Sequence, residues 1–357
     1  MQTKRQIQEL LSCAGIAPNR RLGQHFLVDL NLMRLLIDSA EIGPRDIVLE
    51  IGAGTGSLTE ALADRAGQVV TVELDQTLAG IAQSRLAKAA NVQVLNMDAL
   101  SNKGSIAPAV VEAVAAARGK VESSTGILPV SSMGVPPMSI RGIPVRSGRG
   151  QALPLDCHGQ DARDTHGRDG RATVGPIGPA PIEPPVLLVS NLPYDVASPV
   201  MINLAKGPLI VEAMCVTVQK EVAQRMTASP GGRDYGTLSI FLQATGEVEM
   251  LRTLPPSVFW PPPQVDSAIV RYTRDGRKSL RIADMDLFGA VVGLFIGHRR
   301  KMLRACARQA PPELGGRDIW PKILEQLAID PTCRPQEIPP QQYVGMTNLC
   351  RQVLRSP

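Results

Sequence analysis

The sequence has 357 residues, a formal net charge of +5 and a pI near 9.0, and 44% of its residues are hydrophobic. This length can bury a large core and predicts two domains, while the positive charge suits a polyanionic partner without being specific for one. The six cysteines include no C-x-x-C pair, which argues against a disulfide scaffold and a zinc site. Because the sequence shows neither a signal-peptide core nor an apolar run of membrane-spanning length, we expect a cytoplasmic protein without a membrane partner.

Strands and helices are predicted to alternate over the first third of the chain. The first three predicted strands cover residues 47–49, 68–72 and 92–95. The first strand leads into a glycine turn, E-I-G-A-G-T-G at 50–56, the second ends in Glu73, and the third is followed by Asp98. This alternation is typical of an α/β fold in which helices flank a parallel sheet.

The segment 104–183 interrupts this pattern. It is rich in Gly, Pro, Ser and Arg, and such a composition cannot bury enough apolar surface to offset the entropy of ordering. We therefore expect a long, largely disordered low-complexity insertion, within which residues 105–117 are a candidate helix. An imperfect octamer repeat contains His158 and His166, but a metal site is disfavoured because no second pair of ligands accompanies them.

The fold is predicted to resume after the insertion. The predicted elements are strands at 186–190, 214–218 and 265–272 and helices at 220–228 and 236–244. The remaining chain has helical periodicity. We therefore predict a catalytic domain at 1–275, which contains the insertion, and a small C-terminal helical domain at 276–357.

The glycine turn and the two acidic strand ends together fit an adenosine-shaped ligand. The turn has G-x-G-x-G spacing rather than the G-x-G-x-x-G of the pyrophosphate fingerprint, and no Walker lysine accompanies it. Glu73 can bind a ribose diol and Asp98 an adenine amino group. S-adenosylmethionine fits this set better than NAD or ATP. Either carboxylate taken alone could equally be an ordinary strand-end residue.

The most informative motif is N-L-P-Y at 191–194, which ends the strand predicted after the insertion. An amide oxygen and a main-chain carbonyl can accept hydrogen bonds from an exocyclic amine, and an aromatic ring can stack on a base plane. The motif therefore predicts a pocket for a planar base that carries an amine.

Several motifs in fixed order resemble the ribosomal RNA adenine dimethyltransferase family, in particular its bacterial members that act on 16S rRNA. The resemblance runs from about Arg20 to about Arg308 and skips the insertion. It rests on L-G-Q-H-F-L at 22–27, the glycine turn, Glu73, Asp98, N-L-P-Y and V-F-W-P-P-P-Q-V-D-S-A at 258–268. Asp195 and Gln264 depart from the family's frequent asparagine and lysine, and the second change removes one expected phosphate contact.

The resemblance implies a Rossmann-like class I methyltransferase fold that uses S-adenosylmethionine and holds no metal. Its implied cofactor site consists of His25 and Leu27 at the methionine end, Gly52 in the cradle, Glu73 at the ribose, Asp98 at the adenine and Asn191 where methyl donor and target meet.

The mechanism predicted from this resemblance is in-line transfer of a methyl group to adenine N6. Asn191 and the Leu192 carbonyl would accept hydrogen bonds from the amine and localise its lone pair. Tyr194 and Phe259 would stack on the two faces of a base that has left its own stack.

The implied partner is 16S rRNA within the small ribosomal subunit or its precursor. The reaction would dimethylate two adjacent adenines near the 3′ end as a step of subunit biogenesis, and we expect the enzyme to be a monomer. Basic clusters at 271–281 and 298–308 are candidate phosphate contacts, and a solvated helix face is the alternative for the second cluster.

Three other functions stay open at this point. A macrolide-resistance type methyltransferase of large-subunit rRNA is disfavoured by the W-P-P-P context and the basic C-terminal region. A Rossmann oxidoreductase is disfavoured by the glycine spacing and N-L-P-Y. The third is a non-catalytic RNA-binding or ribosome-assembly factor, against which the intact Asn191, Tyr194, Glu73 and Asp98 argue.

Overall fold

The computed structural model of the protein describes residues 1–19, 23–124 and 183–355. Within these ranges the chain forms a seven-stranded sheet, two short strand pairs and a set of surrounding helices. Leu22 and the repeat that contains His158 and His166 lie outside the described residues. Among the described helices, none combines the length and apolar character needed to cross a membrane.

The elements are numbered in chain order. The strands are β1 (Phe26–Leu27), β2 (Ile47–Ile51), β3 (Gln68–Glu73), β4 (Val92–Asn96), β5 (Leu100–Asn102), β6 (Ser105–Ile106), β7 (Val186–Asn191), β8 (Ala213–Gln219), β9 (Gly246–Leu254), β10 (Phe259–Trp260) and β11 (Ser267–Arg274). The helices are α1 (Lys4–Cys13), α2 (Leu30–Asp38), α3 (Ser57–Ala63), α4 (Gln76–Leu86), α5 (Pro108–Ser124), α6 (Ala197–Lys206), α7 (Lys220–Thr227), α8 (Thr237–Thr245), α9 (Gly276–Ser279), α10 (Met285–Ile296), α11 (Leu303–Ala307), α12 (Trp320–Gln326) and α13 (Pro340–Arg355).

The large sheet has the strand order β4-β3-β2-β7-β8-β11-β9. The five strands from β4 to β8 are parallel, and β11 runs antiparallel to both of its neighbours. The direction of the strand order reverses between β2 and β7. Ligands of doubly wound folds bind at such a switch point, outside the carboxyl ends of the strands.

The sheet is buried on both faces because its strands carry apolar residues at successive positions. Ile47 and Leu49 of β2 face one core, while Val48 between them faces the other. A strand that is covered on both sides reads as a continuous apolar run rather than an alternation, which explains why the parallel strands were readily predicted.

The edge strand β9 was not predicted from the sequence. It pairs with β11, and its exposed Glu247 and Glu249 alternate with the partly buried Val248 and Met250. Period-2 alternation is the signal of a half-buried strand. Charged side chains along such an edge also discourage pairing with other chains.

Helix α5 belongs to the layer that covers the sheet. Val110, Val114, Ala117 and Val121 recur at helical spacing and are buried in the core shared with β2 and β3. The candidate helix at 105–117 is therefore present but starts and ends later, and 108–124 must be counted with the core of the sheet rather than with the insertion. Most of the segment 104–183 that was predicted to be disordered, namely 125–182, lies outside the described residues.

The C-terminal helices share a core with α8. Tyr235 and Phe241 are buried among residues of α10 to α13, and the Tyr235 hydroxyl donates to the Ile338 carbonyl at 2.8 Å. Phe241 also packs edge-on against Phe288, with ring centroids 5.0 Å apart. The domain division after residue 275 stays a prediction. Helix α8 precedes residue 275 in the sequence, yet it packs against helices that follow residue 275.

The packing of α5 can be tested at its last buried position. We expect Val121→Ala to lower the free energy of unfolding by about 2 kcal/mol, because it removes two buried methyl groups and leaves a cavity. Lys120→Ala, at an exposed neighbouring position, should change it by roughly 0.5 kcal/mol or less. Denaturant unfolding monitored by circular dichroism measures both. Equal effects of the two changes would mean that the C-terminal end of α5 does not pack against the core of the sheet.

Candidate active site

The carboxyl ends of β2, β3 and β7 and the segment that follows β4 surround one cavity. The six residues predicted to bind the cofactor all line it: His25, Leu27, Gly52, Glu73, Asp98 and Asn191. They come from distant parts of the sequence, and the parallel arrangement of β4, β3, β2 and β7 places four of them, Asp98, Glu73, Gly52 and Asn191, at one edge. The structure therefore brings together all six residues that were predicted to bind the cofactor.

The glycine turn after β2 allows the main chain to come close to its neighbours. Gly52 and Gly54 have φ of +91° and +57°, a backbone region that favours glycine. A Cβ atom at Gly54 would lie 2.9 Å from the Phe26 ring, and one at Gly52 would lie 3.3 Å from Pro193. A side chain at either position would press against Phe26 or Pro193, which also line the cavity, so glycine lets the turn pack closely beside it.

The carboxylate of Glu73 is fixed by main-chain donors. Its two oxygens accept hydrogen bonds from the Gly54 amide at 2.7 Å and the Asp75 amide at 2.9 Å. Burial raises the pKa of Glu73, and these two hydrogen bonds oppose that shift. Each oxygen keeps a further lone pair, so the carboxylate can still accept the two hydroxyls of a ribose diol.

Asp98 lies at the exposed rim of the same cavity. Its Oδ1 accepts a hydrogen bond from the Leu100 amide at 2.9 Å, which orients the side chain just beyond β4. An acceptor at the rim, just beyond the strand that pairs with β3, is suitably placed for the amino group of a base whose ribose binds to Glu73.

The Asn191 amide is held by two neighbours. Its Nδ2 donates to the His25 carbonyl at 2.7 Å, and its Oδ1 accepts a hydrogen bond from the Thr217 hydroxyl. A carbonyl oxygen can only accept, so the nitrogen must face His25 and the oxygen must face Thr217. One lone pair of Oδ1 and one N–H of the amide are left for a ligand.

Tyr194 lies beside the cavity rather than in its lining. Its hydroxyl hydrogen-bonds to the Ser267 Oγ at 2.7 Å, and its ring stacks on His25 with centroids 5.4 Å apart. Burial raises the pKa of Tyr194, so the phenol is neutral. The His25 ring is fixed in turn, because its Nδ1 lies 2.7 Å from the Pro261 carbonyl.

The side chains of Phe259 and Leu192 are buried in this structure, and the predicted role of Leu192, which belongs to its main-chain carbonyl, stays a prediction. Phe259 is 3% exposed and lies in the core beside Leu27, and Leu192 is 1% exposed. The predicted stacking of Phe259 on a base is not supported, and the cause is strand alternation. In the β1–β10 pair, Phe259 lies opposite Leu27 and faces the core beneath the sheet, whereas Trp260 lies opposite Phe26 on the other face and packs toward α1.

Glu50 is a buried carboxylate that the sequence analysis noted only as part of the glycine motif. It lines the cavity, and its Oε2 accepts hydrogen bonds from the Thr59 hydroxyl at 2.5 Å and the Thr71 hydroxyl at 2.7 Å. Burial raises its pKa to about 7, and the two hydroxyls oppose that shift. Glu50 therefore ties β2 to α3 and β3 directly beneath the cavity.

The N-terminal helix α1 also contributes to the site. Ile7 lines the cavity and packs with Leu11 against Leu78, and the main-chain amide of Gln2 donates to Ser57 Oγ at 2.7 Å. The sequence carried a signal for this helix, since Thr3 and Gln6 form a capping box before the apolar pair. Its role as a wall of the cavity could not be predicted because it depends on long-range packing.

A family model described as ribosomal RNA adenine dimethylase matches residues 16–119 and 165–314 of the chain. The chain belongs to this family. Curated relatives named ribosomal RNA small subunit methyltransferase A align over nearly the whole chain. The protein from Pelotomaculum thermopropionicum is 31% identical over 96% of this chain and 94% of its own length. The protein from Geobacillus sp. is 28% identical over 97% of this chain and 96% of its own length.

Solved structures share the fold of this ribosomal RNA adenine dimethylase. A dimethyladenosine transferase from Plasmodium falciparum has a TM-score of 0.60 at 20% identity and covers 92% of this chain and 98% of its own. The 23S rRNA methyltransferase ErmE has a TM-score of 0.53 at 21% identity, and the match covers 92% of this chain and 100% of the ErmE chain. The family, the methyltransferase class of the enzyme and its Rossmann-like fold, predicted from sequence, are thereby confirmed.

The two basic clusters of this ribosomal RNA adenine dimethylase differ in their surroundings. In the first, Arg274 donates to the Leu204, Ala205 and Val211 carbonyls, and Arg271 pairs with Glu249. These residues therefore stabilise the catalytic domain itself. The second cluster contains four exposed cations, which are Arg300, Lys301, Arg304 and Arg308.

Arg299, in the second cluster, has a structural role. Its guanidinium donates to the Gln336 side chain at 3.2 Å and to the Arg233 carbonyl at 2.7 Å. It thus joins the segment before α8 to the C-terminal helices. The exposed cations beside it are the better candidates for phosphate contact.

The raised pKa of Glu50 predicts a pH dependence of stability. The folded state keeps the Glu50 proton up to about pH 7, whereas the unfolded chain releases it near the ordinary glutamate pKa of 4.5. The stabilisation is therefore present at low pH and is lost as the pH rises through this interval. Glu50→Gln cannot titrate, so the stability of the variant relative to the parent should rise between pH 5 and 8.

Denaturant unfolding at a series of pH values measures this difference. Glu112→Gln, at an exposed position on α5, is the matched control and should follow the parent at every pH. A constant difference between Glu50→Gln and the parent would show that Glu50 does not titrate in this range.

Proposed function

We propose that this enzyme transfers methyl groups from S-adenosylmethionine to N6 of two adjacent adenines near the 3′ end of small-subunit rRNA. The observation that carries the proposal is the Asn191 amide, which lines the same cavity as Glu73 and Asp98 and is fixed with one acceptor lone pair to spare. The expected monomeric state and cytoplasmic location stay predictions.

The residues of the cavity fit S-adenosylmethionine. The glycine turn packs closely against Phe26 and Pro193 beside the cavity, where a Cβ atom would crowd them, and Glu73 provides a preoriented acceptor pair suited to a ribose diol. Asp98 would accept from the adenine amino group, while His25 and Leu27 would border the methionine end. When bound, the cofactor supplies an electrophilic methyl group on a sulfonium.

Asn191 would prepare the target amine for attack. The lone pair of adenine N6 is delocalised into the ring, so the free amine is a weak nucleophile. A hydrogen bond from N6–H to Asn191 Oδ1 favours a pyramidal nitrogen whose lone pair points along the methyl–sulfur axis. As the nitrogen–carbon bond forms and the sulfur–carbon bond breaks, the nitrogen becomes acidic and releases its proton to water.

Tyr194 is the proposed stacking surface for the target base. Its hydroxyl is anchored to Ser267, so the ring can hold a base without losing its own orientation. Because Phe259 is buried, the other face of the base would be bordered by residues that line the cavity or by the RNA itself. The adenine must leave its stack to reach Asn191.

The choice of ribosomal subunit can be tested directly. Purified enzyme with labelled S-adenosylmethionine is offered unmethylated small subunits and, separately, large subunits, and the modified nucleotides are mapped by mass spectrometry. The proposal predicts N6,N6-dimethyladenosine at two adjacent small-subunit adenines. Modification of the large subunit alone would mean that the enzyme is a methyltransferase of large-subunit rRNA. No transfer to either subunit would favour a non-catalytic assembly factor.

Two substitutions should separate chemistry from cofactor binding. Asn191→Ala should slow methyl transfer by roughly 100-fold or more, because the amide acts on the target amine, and should leave cofactor affinity within about tenfold. Glu73→Gln should weaken S-adenosylmethionine binding by roughly 1–3 kcal/mol through loss of charge-assisted hydrogen bonds to the ribose. Single-turnover kinetics measures the rate of methyl transfer, and calorimetry measures the affinity for S-adenosylmethionine. Near-normal turnover of Asn191→Ala would refute the proposed role of the amide.

The exposed cations of the C-terminal region are proposed to contact RNA phosphates. Reversing Arg300, Lys301 and Arg304 to glutamate should weaken subunit binding and lower the slope of log affinity against log salt by about 2–3. Cofactor affinity should be unchanged. Lys322→Glu, an exposed cation on α12, is the control for a general charge effect. If the triple variant and parent have equal salt slopes, this cluster is a solvated face.

A further inference from the structure

We propose that Thr217 is a positioning residue for methyl transfer, which fixes the Asn191 amide with its oxygen available to the target amine. This inference rests on the proposed function of Asn191. It concerns a residue on β8 that no motif contains and that does not line the cavity. Thr217 would act only through Asn191 and would touch neither cofactor nor substrate.

The contact is built into the sheet. In the parallel pair of β7 and β8, Asn191 lies in register with Thr217, and the Leu192 amide donates to the Thr217 carbonyl at 3.2 Å. Residues in register on neighbouring strands project to the same face, so the two side chains meet. The main-chain bond keeps them together where β7 ends, which leaves little freedom for either side chain.

Thr217 is a polar exception in a buried strand. Its neighbours Met214, Cys215, Val216 and Val218 are fully buried and apolar in character, and Thr217 is itself 1% exposed. A buried hydroxyl needs a hydrogen-bond partner. Among the described residues, the partner of this hydroxyl is the Oδ1 of Asn191. Valine would fill the same space, so packing alone does not explain a threonine here.

The direction of the hydrogen bonds determines what Asn191 offers to a substrate. The His25 carbonyl accepts from Nδ2, which leaves Thr217 as the donor to Oδ1. The last torsion of an asparagine side chain is broad and roughly two-fold, so without the Thr217 hydroxyl only the bond to the His25 carbonyl would keep the amide from turning over. The turned amide would present a donor to the N6–H donors of adenine. Thr217 therefore stabilises the acceptor orientation that the reaction needs.

The test compares Thr217→Val, which removes the hydroxyl at nearly constant volume, with Thr217→Ser, which keeps it. Single-turnover methyl transfer is measured with saturating cofactor and unmethylated small subunits, beside cofactor affinity and melting temperature. We expect Thr217→Val to be about 10- to 100-fold slower than the parent. Its affinity for S-adenosylmethionine and its KM for subunits should stay within about twofold of the parent, and Thr217→Ser should recover most of the rate.

Two further variants keep the result interpretable. Thr347→Val removes another fully buried threonine hydroxyl, which donates to the Tyr343 carbonyl at 2.9 Å in α13, and should not change the rate. Thr217→Ala serves if the valine variant folds poorly, and should show the same loss of rate. Asn191→Ala is measured in the same assay.

The outcomes separate this inference from the proposed function. If Thr217→Val or Thr217→Ala transfers methyl groups as fast as the parent while Asn191→Ala is slow, only the role of Thr217 is overturned. If Thr217→Ser is as slow as Thr217→Val, the loss comes from packing and the inference is equally overturned. A normal rate for Asn191→Ala would instead overturn the proposed function on which the inference rests.

Discussion

The constraint on which the site depends is the parallel arrangement of β3, β2, β7 and β8, whose carboxyl ends meet at one edge. Gly52, Glu73 and Asn191 are far apart in sequence and become neighbours only because each one ends or follows such a strand. The reversal of strand order between β2 and β7 opens the crevice there, and the Gly52 turn lets Pro193 approach from the opposite side. Fold and site are thus consequences of one arrangement. The sheet fixes the positions of the strand ends, and the residues at those ends provide the functional groups of the site.

The sequence predicted the parts of the fold that depend on local pattern. The buried strands β2, β3 and β7 were predicted because both of their faces are apolar, and α8 was predicted to within a residue at each end. The edge strand β9 was missed although Val248 and Met250 alternate with glutamates. The predicted start of the insertion is too early. The small apolar residues of α5 resemble low-complexity sequence, and only their burial against β2 and β3 shows that they belong to the core.

In the site, the motif residues predicted to bind the cofactor lie together at one cavity and their roles stay predictions, whereas residues whose position depends on tertiary contacts were misassigned or not identified from the sequence. His25, Leu27, Asp98 and the strand-end residues all line the cavity. Phe259 was assigned to a base because it stands in a motif, yet pairing of β10 with β1 turns it into the core. Thr217 had no sequence signal beyond one hydroxyl in an apolar strand, and Ile7 reaches the cavity only because α1 packs on Leu78. Such residues could be found only once the neighbouring strands and helices were in place.

The central claim is that this strand edge holds S-adenosylmethionine with its reactive end at Asn191. A crystal structure of the chain with S-adenosylhomocysteine, the product that remains after transfer, tests this most directly. The account predicts that both ribose hydroxyls lie within hydrogen-bond distance of the Glu73 carboxylate, that the adenine amino group lies at Asp98, and that the sulfur faces the Asn191 amide. A ligand bound elsewhere, or one bound in the cavity with its sulfur directed away from Asn191, would contradict it.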